Sequence, residues 1–321
     1  MNIPVAESVL VSAIVPTRFP RRLPKLKRAV ESILTQGYPH VEVLVVADGP
    51  EAVHVEELSR LVPDSRLRIV RRDASGGPGA ARNTGAREAS GRYLALLDDD
   101  DVWLPGKLEA QIELAGRHPD AALVFTDSYI ESEGGTTTLF KKIDFNGVPS
   151  LEQMCRENFI PTLSVLILKS AFEEAGGFDP APELVGLDDY DLWPRVLVRH
   201  RAVFCAQPLA VHYRHEENYS QTPSFFRAEL YRLEKHERLL AAFPECLRYV
   251  RRRMSKPCRF IAYEHLLAGR MPEARTFAAR AIKADPQHWK NYAYWLVSFT
   301  APGVYRAMRR MKFFLMRRGS A

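Results

Sequence analysis

Short β-branched runs alternate with helix-period segments through the first hundred residues, and this alternation limits the possible folds more than any other feature. Val9–Val15 and Val41–Ala47 are apolar and valine-rich, as strands buried on both faces are, and between them Leu23–Thr35 carries apolar residues at helical spacing. A second cycle predicts a helix around Val53–Leu61 and a strand at Leu67–Val70. A third predicts a glycine-opened helix at Gly79–Ala89 and a strand at Tyr93–Leu97. Repeated β-α-β units imply an α/β domain whose parallel sheet is covered by helices, with ligands held beyond the carboxyl ends of the strands.

Polar clusters fall where that rule puts ligands. Pro16-Thr17-Arg18 follows the first strand, Asp48-Gly49 the second, and Asp98–Asp101 the strand ending at Leu97. The pattern then becomes mixed, with strands at Ala122–Thr126 and Leu163–Leu168, an acidic helix start at Leu187-Asp188-Asp189, and a strand pair near Val203–Cys205 and Ala210–Tyr213. From about Thr222 helical periodicity takes over, through Phe225–Phe243, Cys246–Ala268, Pro272–Ala284 and Trp289–Phe299. The expected organisation is an α/β domain over residues 1–221 and a helical region over 222–321. Leu266–Trp289 resembles half of a tetratricopeptide-type repeat, and a single unit makes an appendage rather than a solenoid.

The run LALLDDDDVWLP sets four acids behind an apolar strand. Neighbouring carboxylates repel and raise one another's pKa, so the run is either a solvated turn capping the helix near Pro105 or a cation site. Its entry from a buried strand, the Trp103 that follows and its place on the ligand rim favour the cation, with a D-x-D pair holding Mg²⁺ or Mn²⁺ while substrate phosphates and water fill the other positions.

The net charge of +6 and pI near 9.1 admit phosphorylated small molecules, an anionic membrane or nucleic acid as partners, so the position of the charge decides. The basic excess lies in the C-terminal third, and no nucleic-acid partner is expected. Cys155, Cys205, Cys246 and Cys258 have neither zinc-site nor disulfide-framework spacing, which points to a reducing cytoplasm. Pro16 and Arg18 interrupt the N-terminal apolar run before a signal sequence could mature, and no run approaches the ~20 apolar residues of a membrane span. The last segment, VYRAMRRMKFFLMRRGSA, is either an amphipathic basic helix lying on the inner face of an anionic membrane or a surface helix.

Taken in order, VSAIVPTR, VLVVADGPE, GGPGAARNTGAREASGRYLALLDDDDVW, GGFDP and GLDDYDLWPRV resemble the family-two nucleotide-sugar glycosyltransferases, from roughly Ser8 to Ser220. The resemblance implies a GT-A fold, a Rossmann-like, mixed but mainly parallel sheet flanked by helices. It implies a nucleotide-diphosphate sugar donor, a glycan or lipid-linked glycan acceptor in cell-surface polysaccharide synthesis, and Mn²⁺ or Mg²⁺ as cofactor. By position, Asp98 and Asp100 match the metal motif, although Asp99 and Asp101 satisfy the same spacing. His215 is favoured over His212 as a further metal-site residue. Pro16, Thr17, Arg18, Asp48, Arg82, Asn83, Asp98 and Asp99 match donor-binding positions, and Asp189 matches the general base. Asp188 falls on the acceptor side, and Trp103 and Trp193 either line a sugar or acceptor surface there or pack in the core or rim.

The chain departs from the family pattern at Ala47, where a second acid is common, at Pro50, where serine is usual, and at Asp188, where glutamate is usual. Competing readings are a nucleotidyltransferase, which attacks phosphorus and releases pyrophosphate, and a non-catalytic nucleotide-binding protein with a partner-binding helical tail.

Overall fold

The computed structural model describes residues 9–143, 145–213 and 223–300, and the backbone contacts divide the chain into two units, Met1–Glu217 and Asn218–Ala321. In the first unit, β1 (Val11–Thr17), β2 (Val41–Asp48), β3 (Leu67–Arg72) and β4 (Tyr93–Leu96) are parallel in the order β3-β2-β1-β4. Helices α1 (Leu23–Leu34), α2 (Val55–Leu61) and α3 (Gly77–Glu88) make the crossovers. The expected β-α-β cycles are therefore present.

Register explains the convergence of the polar clusters. Thr17 pairs with Ala47, so Asp48 lies one residue beyond; Ile14 pairs with Leu96, so Asp98 lies just past the same edge. Helix α3 lies close over these strands because Gly85 has no side chain. A Cβ there would sit 2.5 Å from Ile14 Cγ2 and 3.1 Å from Val46 Cγ2, well inside van der Waals contact.

Beyond β4 the sheet is mixed. Short β5 (Val102–Trp103) follows the acid run, α4 (Lys107–Arg117) leads into the long β6 (Ala121–Ser132), and β7 (Gly135–Thr138) folds back on β6. After α5 (Leu151–Arg156), β8 (Val165–Leu168) inserts antiparallel between β4 and β6. Helices α6 (Lys169–Glu174) and α7 (Asp188–Leu197) precede β9 (Arg201–Tyr213), which runs parallel to β6 and antiparallel to β5.

The strand pair expected near residues 203–213 is this one long strand. Its register against β6 shifts around Thr126 and Asp127, and irregularities of this kind let one strand carry the break that the sequence shows as two apolar segments.

The second unit is helical: α8 (Pro223–Leu239), α9 (Pro244–Arg253), α10 (Ser255–Ala268), α11 (Met271–Ala284) and α12 (Trp289–Val297). The single helix expected over Cys246–Ala268 is two, because Pro257 lacks an N–H and its ring clashes with the carbonyl four residues back, at Arg253. Helices α10 and α11 form a hairpin turned by Gly269, at φ 76°, with buried Ala274, Ala278 and Ala281 on α11. Asn291 is fully buried, and its amide donates to Ser255 Oγ and to the carbonyls of Ala281 and Asp285. Among the described residues no helix is long and apolar enough to cross a membrane. Residues 304–321, read as either a membrane-surface helix or a plain surface helix, lie outside the described residues.

Candidate active site

A cavity of about 720 Å³ opens beyond the carboxyl ends of the parallel strands, a volume in the usual range for ligand sites. Thr17 comes from the end of β1, Arg18 and Arg22 from the segment after it, Asp48 from the end of β2, Gly76 from the residue before α3, Arg82 from within α3, and Asp98, Asp99 and Asp100 from the turn after β4. Guanidinium groups and carboxylates thus share one wall, which suits a ligand carrying both phosphates and a cation.

Asp48 shapes this cavity through its loop. Its carboxylate accepts from Arg72 Nε at 2.9 Å, Ser75 Oγ at 2.8 Å, Gly76 N at 3.0 Å and Gly77 N at 2.9 Å, which fixes the turn into α3. Gly49 can make the turn out of β2 because its φ of 94° is readily open only to glycine.

The four acids differ sharply in environment. Asp98 receives Arg82 Nη2, and Asp99 receives Arg22 together with the Thr17 hydroxyl at 2.7 Å. Asp100 lies 3.2 Å from Arg22 Nη1. Asp101 turns away from the cavity into the protein, where it accepts Tyr213 N at 3.0 Å and meets His212 Nδ1 at 3.2 Å. The hydrogen bond to Asp101 raises the His212 pKa above the ordinary imidazole value.

Of the two spacings open in the sequence, only Asp98 and Asp100 place both carboxylates on the cavity; Asp101 is committed to the end of β9. Among the described residues no group of three or more His, Cys, Asp or Glu side chains is arranged to hold a metal ion. Two carboxylates on a cavity also lined by Arg18, Arg22 and Arg82 nevertheless fit a hard divalent ion, which commonly takes one or two protein oxygens and completes its shell from substrate and water. His215 lies outside the described residues.

Arg82 ties the acid run to α7. The side chain is buried, donates Nη1 to Asp188 at 3.0 Å and Nη2 to Asp98, and lies over the Phe178 ring. Burial opposes its charge, but Asp98 and Asp188 outweigh that effect and raise its pKa. Asp188, also buried, is raised by desolvation against the pull of Arg82.

Next to it, Asp189 is pushed up to about 6, first by desolvation and then by the charge of Asp188. Asp189 accepts Tyr190 N at 2.6 Å and Asn158 Nδ2 at 3.0 Å, with Thr162 Oγ1 at 3.4 Å. Asn158 and Thr162 carried no sequence signal, since both lie in a loop about thirty residues from the acid they orient.

Three expected site residues serve other roles. Trp103 and Trp193 do not line an acceptor surface: they are 2% and 0% exposed, and their indole N–H groups donate to the carbonyls of Leu163 and Ile160 at 2.9 and 3.0 Å. Each ring is large enough to be worth burying, and each N–H finds a backbone partner inside. Asn83 is absent from the cavity lining; it clamps the backbone of Phe178, accepting its N–H at 2.9 Å and donating to its carbonyl at 2.7 Å. Pro16, Thr17, Arg18, Asp48, Arg82, Asp98 and Asp99 all line the cavity.

A family model described as glycosyl transferase family 2 matches residues 12–175. The chain belongs to this family. An uncharacterized glycosyltransferase of Methanocaldococcus jannaschii is 26% identical over 198 residues, 60% of this chain and 68% of that protein. The succinoglycan biosynthesis protein ExoO of Rhizobium meliloti is 36% identical over 124 residues, 39% of this chain but only 35% of ExoO.

Among solved structures, residues 1–349 of S. aureus TarS in complex with UDP-GlcNAc superpose with a TM-score of 0.63 at 14% identity, covering 94% of this chain and 92% of that one. The mannosyltransferase PcManGT of Pyrobaculum calidifontis, in complex with GDP-Man and Mn²⁺, gives 0.53 at 19% identity over 90% and 86%. These similarities establish the GT-A fold of this family 2 chain, a mixed sheet flanked by helices and followed by further helices.

Proposed function

We propose that this family 2 chain is an inverting glycosyltransferase, dependent on a divalent metal, that moves a sugar from a nucleotide-diphosphate donor to a hydroxyl of a glycan or lipid-linked glycan acceptor. Catalysis is assigned to residues 1–221. The observation that carries the reading is the Asp98–Arg82–Asp188 chain, which joins the cavity wall to a neighbouring carboxyl, Asp189, whose pKa of about 6 suits a general base near neutral pH. Support also comes from the bound UDP-GlcNAc of TarS, the bound GDP-Man of PcManGT, and the polysaccharide role in the name of ExoO.

The residues divide the work. Arg18 and Arg22 offer guanidinium donors to the diphosphate, and Asp98 and Asp100 would hold Mn²⁺ or Mg²⁺. When bound, the metal neutralises charge that accumulates on the departing diphosphate. Asp189 accepts the proton of the acceptor hydroxyl as its oxygen bonds to the anomeric carbon, while the bond from that carbon to the phosphate oxygen breaks and nucleoside diphosphate leaves. Displacement in one step inverts the anomeric configuration without a sugar–enzyme bond. Asn158 and Thr162 aim the Asp189 carboxylate, and Arg82 holds Asp188 so that two adjacent acids can coexist there.

The test is turnover of a panel of nucleotide-diphosphate sugars with and without Mn²⁺ or Mg²⁺. Metal-dependent release of nucleoside diphosphate supports the reading. Release of pyrophosphate would instead identify a nucleotidyltransferase, and a product with retained anomeric configuration would exclude single displacement.

A further inference from the structure

We propose that His54 is a positioning residue for the donor cavity, acting through Thr17 and Asp99 to hold Arg22 toward the diphosphate; the inference rests on the donor reading above. His54 stands at the start of α2, only 5% exposed, and does not line the cavity. Its Nε2 lies 2.9 Å from Thr17 Oγ1, and the same hydroxyl lies 2.7 Å from Asp99 Oδ2. The other Asp99 oxygen receives Arg22 Nη1, which also lies 3.2 Å from Asp100.

The protons of this chain can be assigned. A threonine hydroxyl has one hydrogen, and the carboxylate of Asp99, paired with the Arg22 cation, can only accept. Thr17 therefore donates to Asp99, and the imidazole must donate Nε2–H to Thr17. That excludes the Nδ1–H tautomer, and because Nδ1 is buried without a protein hydrogen-bond partner among the described residues, where a second proton would find no acceptor, we assign the neutral Nε2–H form with Nδ1 bare. Desolvation, which lowers the His54 pKa, agrees with a neutral ring.

Each bond in the chain orients the next. The imidazole sets the hydroxyl rotor, the hydroxyl selects one oxygen of Asp99, and the remaining oxygen faces Arg22. Without His54, Thr17 loses the donor that fixes its rotor, Asp99 turns more freely, and Arg22 spends less time in the geometry that meets a phosphate. The cost falls on donor binding, because none of these groups reaches the proton that Asp189 removes.

Two measurements test the chain independently. Two-bond ¹H–¹⁵N correlation on the full-length protein without donor should show His54 with protonated Nε2 and bare Nδ1 at neutral pH; the opposite tautomer or a doubly protonated ring would overturn the assignment. In turnover assays His54→Leu should raise the donor KM about tenfold, the scale of one lost hydrogen bond to a charged network, with kcat within about twofold. His54→Gln, whose amide N–H can occupy the Nε2 position, should recover most of that loss.

An unchanged donor KM in His54→Leu, or a Gln variant no better than Leu, would overturn the positioning role. Should His54→Leu fail to fold, His54→Met, which fills a similar volume without a hydrogen-bond donor, takes its place and must show the same KM rise, or the proposal falls. If the wild type turned over no nucleotide-sugar the donor reading would fail and take the functional claim with it, while the tautomer would still be decided by the spectra.

Discussion

Replacing Asp189 by Asn separates binding from chemistry at a single atom. The amide keeps the shape and a partner for Thr162 but cannot accept the acceptor's proton, so kcat should fall by about 10²–10⁴-fold while donor affinity stays within about twofold. Loss of donor binding in calorimetry would mean that Asp189 has a different role. Because the carboxyl is raised to about 6, activity should climb with pH through that value as the base ionises. Asn158 holds the ionised form and so opposes the rise. Asn158→Ala should therefore shift the acidic limb of the rate profile to higher pH, and an unmoved limb would argue against this bond.

The same shift has a stability consequence of defined sign. A carboxyl raised in the folded state stabilises the fold when protonated, so its contribution is complete below about pH 4 and is lost as pH rises through about 6. Asp189→Asn should thus unfold at higher denaturant than wild type at pH 7.5, by on the order of 1–3 kcal/mol, and at nearly equal denaturant at pH 4. A deficit at pH 7.5 would contradict the desolvation account. These roles were partly legible: the acid doublet in GLDDYDLW was visible, but Asn158, Thr162 and His54 act across separations of 31, 27 and 37 residues that only folding closes.

At the scale of elements, the close seat of α3 on β1 and β2 depends on Gly85. Gly85→Ala should cost about 1–3 kcal/mol in urea unfolding, the usual penalty for overpacking, because its Cβ would meet Ile14 at 2.5 Å. A neutral result would mean that α3 can lift away without loss. The β-α-β cycles were readable because doubly buried parallel strands are written as apolar runs. The two-residue β5 and the hairpin strand β7 were not, since β5 is set by pairing with β9 and Gly135–Thr138 has no apolar alternation. For the tryptophans the sequence left ligand surface and core packing both open for a related reason. An aromatic beside an acid reads as a ligand surface in one dimension, whereas Trp103 and Trp193 point their N–H groups inward to carbonyls sixty and thirty-three residues away.

For the whole molecule, the central claim is that three strand ends and the start of α7 are brought together by parallel register and the Arg82 bridge to carry out one metal-assisted displacement. Sequence order alone could place the clusters on a common rim; the choice of Asp98 with Asp100 became possible only when Asp101 was seen turned toward β9. The most direct measurement is nucleoside diphosphate release from a panel of nucleotide-sugars, run with chelator and with restored Mn²⁺ or Mg²⁺, for wild type and Asp100→Ala. Wild-type turnover should vanish with chelator and return with metal, and Asp100→Ala should show neither turnover nor metal response. Turnover that ignored chelator, or an Asp100→Ala enzyme that still answered to metal, would contradict the account.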